Sequence, residues 1–369
     1  MLHQPVLLVA LARRYGGAEG RVLDLATAFE GQVDYTVATL QGSPLQRRLQ
    51  EAGLAVRPLD YSRGDPRLLW RLGQLIRAGG YQVVDGHNPQ SQWWGLLAGR
   101  LVGVPVLVST VHLAYGRVQT DSGRGRLYEQ VLQLNRRWGC RFITVSQSIR
   151  DYLYSLGVQK VSLIHNAIDL DKIGSGPAES GWRKQLGWDE RCFVVTMVGR
   201  LESQKGYPFM LAAMAEAVQR CPLLRCLIVG EGRLRAELEQ QVADLGLGNY
   251  VHLAGFRDDV PAVLRASDGF CLSSLAEGLP YALLEAAAQR LPLLVTRVDG
   301  MAELLTHGQD SFLVPAGNPQ ALADGLCWLV QNPAGAKQLG QNGYQLVRAR
   351  FNPAKMVAET LAIYNNQPS

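Results

Sequence analysis

The chain has no apolar run near the roughly 18 residues that a transmembrane helix needs, and its stretch Val6–Ala12 is only a strand's length. That stretch has no basic flank before it and no small-residue cleavage site after it, so no secretory leader is expected. Cysteine pairs are missing too. Cys140, Cys192, Cys221, Cys226, Cys271 and Cys327 are scattered without a Cys-x-x-Cys, which argues against zinc or disulfide frameworks and predicts reduced thiols in a cytoplasmic protein. The six histidines are dispersed, and no metal site is expected. The basic half lacks interleaved aromatics and any recognised nucleic-acid module, so no nucleic-acid partner is expected. Repeats and low-complexity tracts are likewise missing.

What is present is ample apolar material: 369 residues that are 47% hydrophobic can build two cores. The net charge of +5 is carried by the front half of the chain. A basic front half suits an anionic partner such as a lipid surface or an acidic glycan, although ordinary solvated arginines explain it equally well. The stretch from Arg67 through Trp70 to Arg77 reads as a basic amphipathic helix, suited either to anionic lipid or to packing on a sheet. Arg124, Arg126, Arg136, Arg137 and Arg141 make a second basic group. Contact with the inner face of a membrane is therefore one expectation for the first domain.

Short β-branched runs alternate with helical patterns, the signature of a doubly wound α/β architecture. In the front half strands are predicted at Val6–Leu11, Tyr35–Leu40, Gln82–Asp85, Val106–Ser109, Phe142–Val145 and Ser162–Ile164. From about Asp169 to Arg191 the pattern gives way to Gly, Ser, Pro and charge, which reads as an interdomain connection. It then restarts, with strands predicted at Cys192–Val198, Arg225–Val229, Tyr250–Leu253, Gly269–Leu272, Leu293–Thr296 and Ser311–Val314. Near the end, Asn352 and Pro353 form an N-cap and first-turn proline for a last helix. The resulting division is 1–170, 171–351 and a terminal helix in 352–369.

Four segments carry chemistry. Ser273–Thr296 reads as strand, loop, helix and strand, with Glu277 in the loop and Glu285 inside the helix. A carboxylate accepts from two neighbouring hydroxyls, as a sugar or ribose diol requires, while the backbone N–H groups of Gly278 and Leu279 suit an anion. By themselves two acids at this spacing are more often salt-bridge partners. Val195–Gly206 reads V-T-M-V-G-R-L-E-S-Q-K-G, placing Gly199, Arg200 and Lys205 between a strand end and a helix start, where a diphosphate would bind. Val229-Gly230-Glu231-Gly232 offers a glycine-rich turn that would admit a ligand to the backbone. His87 and His112 each follow a strand, a position that a buried structural histidine occupies as readily as a functional one. Of the adjacent Trp93 and Trp94 only one need face the core, leaving the other for sugar stacking.

In this order, V-G-R-L-x-x-x-K-G, V-G-E-G-x-x-R-x-x-L, G-F-x-D-D-V at Gly255–Val260 and S-S-L-A-E-G-L-P-Y-A-L-L-E-A resemble the donor half of the family-4 retaining glycosyltransferases, also called glycosyltransferase group 1. Upstream, Gly16-Gly17-Ala18-Glu19, Asp85-Gly86-His87, Ser109-Thr110-Val111-His112 and His165-Asn166-Ala167-Ile168-Asp169 resemble its front half. The resemblance implies an α/β GT-B fold: two facing Rossmann-like doubly wound domains with a C-terminal crossover helix.

By the same resemblance, Arg200 and Lys205 would neutralise a nucleoside diphosphate, Glu277 would hold the transferred sugar and Glu285 the ribose. His112 would line the pocket near the anomeric carbon, Gly16 and Gly17 would let the first loop close, and Phe256 and Arg257 would meet the base through their backbone. The implied reaction is retaining transfer from a nucleotide-diphosphate sugar, a substrate rather than a cofactor, to a glycan or lipid-linked acceptor. A cell-surface polysaccharide or glycolipid is the expected product. A GT-B phosphorylase, a sugar-nucleotide epimerase and a non-catalytic sugar-nucleotide-binding subunit are the alternatives. Two departures from the family pattern stand out: Asn166-Ala167 where Asn-Gly is usual, and Gln289-Arg290 where a small residue and glycine are usual.

Overall fold

The computed structural model describes residues 2–62, 64–118, 123–178 and 181–365. It divides into two compact units, one up to Ala167 together with the residues from Pro353 onward, the other Ile168–Asn352.

The first unit holds seven parallel strands: β1 (Leu2–Ala10), β2 (Val33–Leu40), β3 (Val56–Leu59), β4 (Val83–Gly86), β5 (Val106–Val111), β6 (Arg141–Thr144) and β7 (Val161–Leu163). They lie in the order β3-β2-β1-β4-β5-β6-β7. Strands β4 and β5 are buried along their whole length, as parallel strands covered on both faces must be. The helix Pro89–Val102 comes close to the sheet because it carries glycines. A Cβ on Gly95 would stand 3.1 Å from Val9, and one on Gly99 would stand 2.7 Å from Leu107.

The last helix, Pro353–Tyr364, belongs to this unit. Its Met356, Val357, Ile363 and Tyr364 join the core of Val22, Leu25 and Phe29, with the Phe29 and Tyr364 rings 6.3 Å apart in an edge contact. Deeper still, Arg21 is fully buried and donates to the carbonyls of Ile164 and His165 and to Asn166 Oδ1. Ala167, where the family pattern has glycine, is itself buried in this core.

The second unit holds six parallel strands: β8 (Phe193–Val198), β9 (Leu224–Val229), β10 (Val251–Gly255), β11 (Gly269–Leu272), β12 (Leu293–Thr296) and β13 (Phe312–Val314). Their order is β10-β9-β8-β11-β12-β13. Both sheets therefore reverse strand order once, between β1 and β4 and between β8 and β11. Open α/β sheets bind ligands at such points, outside the carboxyl ends of the strands.

The connection predicted at Asp169–Arg191 is not a loose linker. Trp182 and Trp188 are buried against Val194, Leu227 and Val263, and Arg265 donates to the carbonyls of Ile173 and Pro177. Two tryptophans in a polar run supply enough apolar area to dock it onto the second unit.

Arg290 is a second departure from expectation. Its φ of 56° is the left-handed conformation that glycine favours, so the backbone keeps the turn of the family glycine although the side chain has changed. Its guanidinium lies 4.5 Å from the centre of the Tyr344 ring.

Candidate active site

In the second unit the chain between β8 and the helix Tyr207–Arg220 crosses opposite the loop after β11. Ser273 Oγ donates to the carbonyls of Lys205 and Gly206 at 2.9 and 3.0 Å, and Leu275 N donates to Gln204 O at 2.7 Å. Gly206 has φ 65°, and a Cβ there would fall 2.0 Å from Ser273 O, so only glycine lets the two loops meet.

The crossing brings together side chains 72 positions apart: Lys205 Nζ donates to Glu277 Oε1 at 2.5 Å, with both side chains largely buried. Ser274 Oγ donates to the same oxygen at 2.6 Å. Behind them Tyr207 is buried and donates to Gly199 O at 2.9 Å, its phenol held well above the ordinary range by burial and by the charge of Glu277. Arg200 is exposed beside them and makes no ion pair among the described residues.

The glycines after the strands are also required by the backbone around them. A Cβ on Gly230 would lie 1.9 Å from Gly199 O, and one on Gly232 would lie 2.3 Å from Leu201 O. What approaches these two glycines is protein backbone, stacking the ends of β8 and β9. Gly255 completes the row, its carbonyl accepting from Gly230 N. Beyond it Phe256 is half exposed, and Arg257 is held by Asp259 at 2.8 and 2.6 Å.

The helix predicted around Glu285 runs Tyr281–Ala288. Pro280 is its N-cap, Leu279 is buried in the core, Gly278 lies buried ahead of it, and Glu285 is half-buried on the helix.

Gly16, Gly17 and His112 belong to the first unit. Gly16 caps the helix Gly17–Phe29 in extended backbone, accepting from Gly20 N at 2.9 Å. His112 follows β5 and is half-buried, with its Nε2 3.4 Å from His87 Nδ1. His87 is fully buried, and its Nε2 lies 3.2 Å from Asp85 Oδ2. Asp85 also accepts from Tyr364 at 2.7 Å and from Thr110 at 2.8 Å. Burial alone would raise the Asp85 pKa, but His87, Tyr364 and Thr110 outweigh it and hold the carboxyl below its ordinary range. Burial, then His87 and Arg21, push His112 well below the usual imidazole range.

Gly86 permits this cluster, because a Cβ there would meet the backbone of Gln92 at 3.0 Å. Trp93 and Trp94 are both half-buried and meet edge to face. Of the second basic group, Arg126, Arg136 and Arg137 are exposed, while Arg141 turns to the carbonyl of Ile363; the side chain of Arg124 lies outside the described residues. An Asp-x-Asp triplet does occur at Asp169-Leu170-Asp171, where Asp169 caps a short helix by accepting from the backbone N–H groups of Asp171 and Lys172.

Ser274, Tyr207 and Tyr364 were not singled out from sequence. The only signal for Ser274 was the serine pair ahead of Glu277, and Tyr364 gave none.

Comparison with known proteins is consistent along the whole chain. Residues 179–346 match the family described as glycosyl transferases group 1, and residues 15–172 match Glycosyltransferase Family 4. An Escherichia coli UDP-Gal:alpha-D-GlcNAc-diphosphoundecaprenol alpha-1,3-galactosyltransferase is 32% identical over 260 residues, 68% of this chain and 66% of that protein's length. The 2-deoxystreptamine glucosyltransferase of Streptomyces kanamyceticus is 30% identical over 66% of this chain and 67% of its own. A Mycobacterium leprae phosphatidyl-myo-inositol mannosyltransferase is 27% identical over 95% and 92%. Among solved structures, Anabaena HepE in complex with UDP and glucose superposes with a TM-score of 0.86 at 23% identity, over 98% of this chain and 100% of that one, which establishes a shared fold.

Proposed function

The chain belongs to the group 1 glycosyltransferases of family 4, a GT-B family, and from that premise we propose that it moves a sugar from a nucleotide-diphosphate donor to a glycan or lipid-linked acceptor with retention of anomeric configuration. The observation that carries this reading is the Lys205–Glu277 contact at the β8/β11 switch point, a cation and a carboxylate side by side, as binding of a phosphate next to sugar hydroxyls would require.

Breaking the bond between the anomeric carbon and the phosphate oxygen builds negative charge on the diphosphate and positive charge on the ring. Arg200, Lys205 and the N-terminus of the helix Tyr207–Arg220 stabilise the first. When the diphosphate takes over Lys205, Glu277 is released to hold sugar hydroxyls, with Ser274 keeping its carboxylate in place. Glu285 holds the ribose, Gly278 and Leu279 offer backbone N–H groups, and the chain at Gly199, Gly230, Phe256 and Arg257 shapes the base pocket. His112, Gly16 and Gly17 serve the sugar side.

Same-face attack, with the leaving phosphate taking the acceptor's proton, needs no protein base. Glu277 is not the nucleophile in this scheme, because its carboxylate is engaged by hydroxyls of the transferred sugar. The cations at the strand end supply the charge stabilisation, so the reaction is metal-independent.

UDP is the first nucleotide to test, since the Escherichia coli relative is named for UDP-Gal and HepE was crystallised with UDP. Two relatives named for lipid-borne acceptors support a glycolipid or polysaccharide role at the cytoplasmic face of a membrane. The helix Arg67–Gly79 suits such a surface: Leu68, Leu72 and Ile76 are buried, while Trp70 is 61% exposed with the Arg71 guanidinium 5.7 Å from its ring.

A panel of UDP-sugars with a lipid-diphosphate-linked sugar acceptor in detergent tests the proposal, with product configuration read by proton NMR. An α-linked product from an α-linked donor is expected. A β-linked product, or turnover that requires phosphate and no acceptor, contradicts it.

A further inference from the structure

At the carboxyl ends of β1, β2 and β3 the first unit carries an open cleft of about 610 Å³ that plays no part in the donor site. Small-molecule sites span about 300–1,000 Å³, so the cleft is of ligand size. Its wall is built from Arg13 after β1, Gln41 after β2, and Asp60, Tyr61 and Ser62 after β3. These loops meet because the three strands are neighbours, and Gln41 N donates to Leu59 O at 2.9 Å. Arg13, Gln41 and Asp60 are exposed. None of the three uses its side chain in a hydrogen bond or ion pair among the described residues.

The charges lining the cleft balance. Arg67 at its rim is already held by Asp65, with Nη2 donating to Oδ2 at 2.7 Å. That leaves one guanidinium, Arg13, and one carboxylate, Asp60, without an ion pair among the described residues of the wall. A guanidinium only donates and a carboxylate only accepts. A phosphate would satisfy Arg13 and be repelled by Asp60, and an ammonium would do the reverse. A neutral ligand rich in hydroxyls satisfies both, because each hydroxyl donates and accepts. The helix Pro44–Glu51 beside the cleft offers little to an anion: Pro44 has no N–H, Gln46 N donates to Ser43 Oγ at 3.2 Å, and Gly42 N donates to Gln46 Oε1 at 2.6 Å. Tyr61 is half-buried in the same wall, its ring steadied by the Arg67 guanidinium 5.3 Å from its centre. Such a ring packs against the apolar face of a pyranose while its hydroxyl stays polar.

Sheet order decides which sugar the cleft can take. In the order β3-β2-β1-β4-β5, three interstrand steps separate β2, at the middle of the cleft, from β5, which His112 follows. At roughly 4.8 Å a step that is about 14 Å, farther than one pyranose ring reaches. We propose that the cleft is a subsite for a neutral sugar ring of an oligosaccharide acceptor, remote from the ring that receives the transferred sugar, with Asp60 accepting from its hydroxyls and Arg13 and Gln41 donating to them. The proposal rests on the reading of the chain as a glycosyltransferase with His112 on its sugar side. It narrows the acceptor from any glycan to one more than a single sugar long.

The experiment is saturation-transfer NMR titration of maltotriose, cellotriose, mannotriose and N-acetylchitotriose into the wild type, Asp60→Ala and Arg13→Ala. Both side chains are exposed, so the variants should melt with the wild type. At least one trisaccharide is expected to bind the wild type, more tightly than its own monosaccharide. Each variant should weaken that binding about tenfold, as loss of a hydrogen bond to a charged group requires, with UDP affinity unchanged. Binding of none of the four sugars, or equal binding in all three proteins, overturns the proposal. Inorganic phosphate binding that is lost in Arg13→Ala and strengthened in Asp60→Ala also overturns it, by making the cleft an anion site. Failure of the underlying reading looks different: no UDP-sugar would be turned over, while the trisaccharide still bound and both variants still weakened it.

Discussion

Lys205 and Glu277 share a contact of 2.5 Å in which neither side chain has more than 13% of its surface exposed. Removing one partner of a largely buried ion pair strands the other charge, which costs about 3 kcal/mol. Lys205→Met should therefore lower stability by about that amount at neutral pH, and adding Glu277→Gln should restore much of it. Urea unfolding of the two single variants and the double variant checks this coupling. Additive losses would show that the two charges act independently.

Gly230 and Gly246 both have positive φ, 146° and 66°, but only Gly230 has backbone in the way of a Cβ. Gly230→Ala should cost at least about 3 kcal/mol, because Gly199 O sits 1.9 Å from the new atom. Gly246→Ala, with nothing within 4 Å, should cost about 1 kcal/mol. Thermal melts of the pair separate crowding from backbone strain.

At Arg290 the left-handed turn is strained and the ring contact with Tyr344 offsets it. Arg290→Gly/Tyr344→Ala should thus be more stable than Tyr344→Ala alone, by about 1 kcal/mol. Equal midpoints for the two would mean that the turn carries no strain.

Stability should fall as the pH drops from 7 to 5. The folded pKa of His112 lies below its unfolded value of about 6.5, so the unfolded chain binds the proton first across that window. His252, lowered by burial and by Arg235, adds to the slope, and His112→Gln should reduce it without removing it. Asp85 has the carboxylate sign: its contribution is full above about pH 4 and is lost as pH falls through its lowered folded value. Chemical denaturation at pH 7, 6 and 5 reads the histidine part, and an unchanged slope in His112→Gln counts against it.

Membrane contact through Trp70 has its own test. A basic residue at an anionic surface contributes about 1 kcal/mol, so Arg71→Ser should weaken binding to phosphatidylglycerol vesicles about fivefold. Trp70→Ser should weaken it further. Vesicle sedimentation that is the same for all three proteins would remove the helix Arg67–Gly79 from the account.

What the sequence made legible followed from local pattern. Strands β11 and β12 lie where predicted, at Gly269–Leu272 and Leu293–Thr296, because both are short apolar runs between turn residues. Strand β3 was not predicted: Val-Arg-Pro-Leu lies at the sheet edge, carries a proline and buries only Leu59 fully, so it has no strand signature. Trp182 and Trp188 were overlooked inside a polar run whose composition resembles a linker.

At the site, the motif order placed Lys205 and Glu277 at strand ends, but their contact across 72 positions depends on β8 and β11 being neighbours, which no local pattern states. Tyr364 and Asp85 are the extreme case, and only packing of the last helix reveals them.

The most direct measurement is calorimetric titration of UDP, GDP, ADP and dTDP into the wild type and into Arg200→Ala/Lys205→Ala. One nucleotide, expected to be UDP, should bind the wild type and bind the double variant at least tenfold more weakly, as loss of two charge-assisted contacts requires. Equal affinity in both proteins, or binding of none of the four, would contradict the placement of the donor diphosphate beside Glu277.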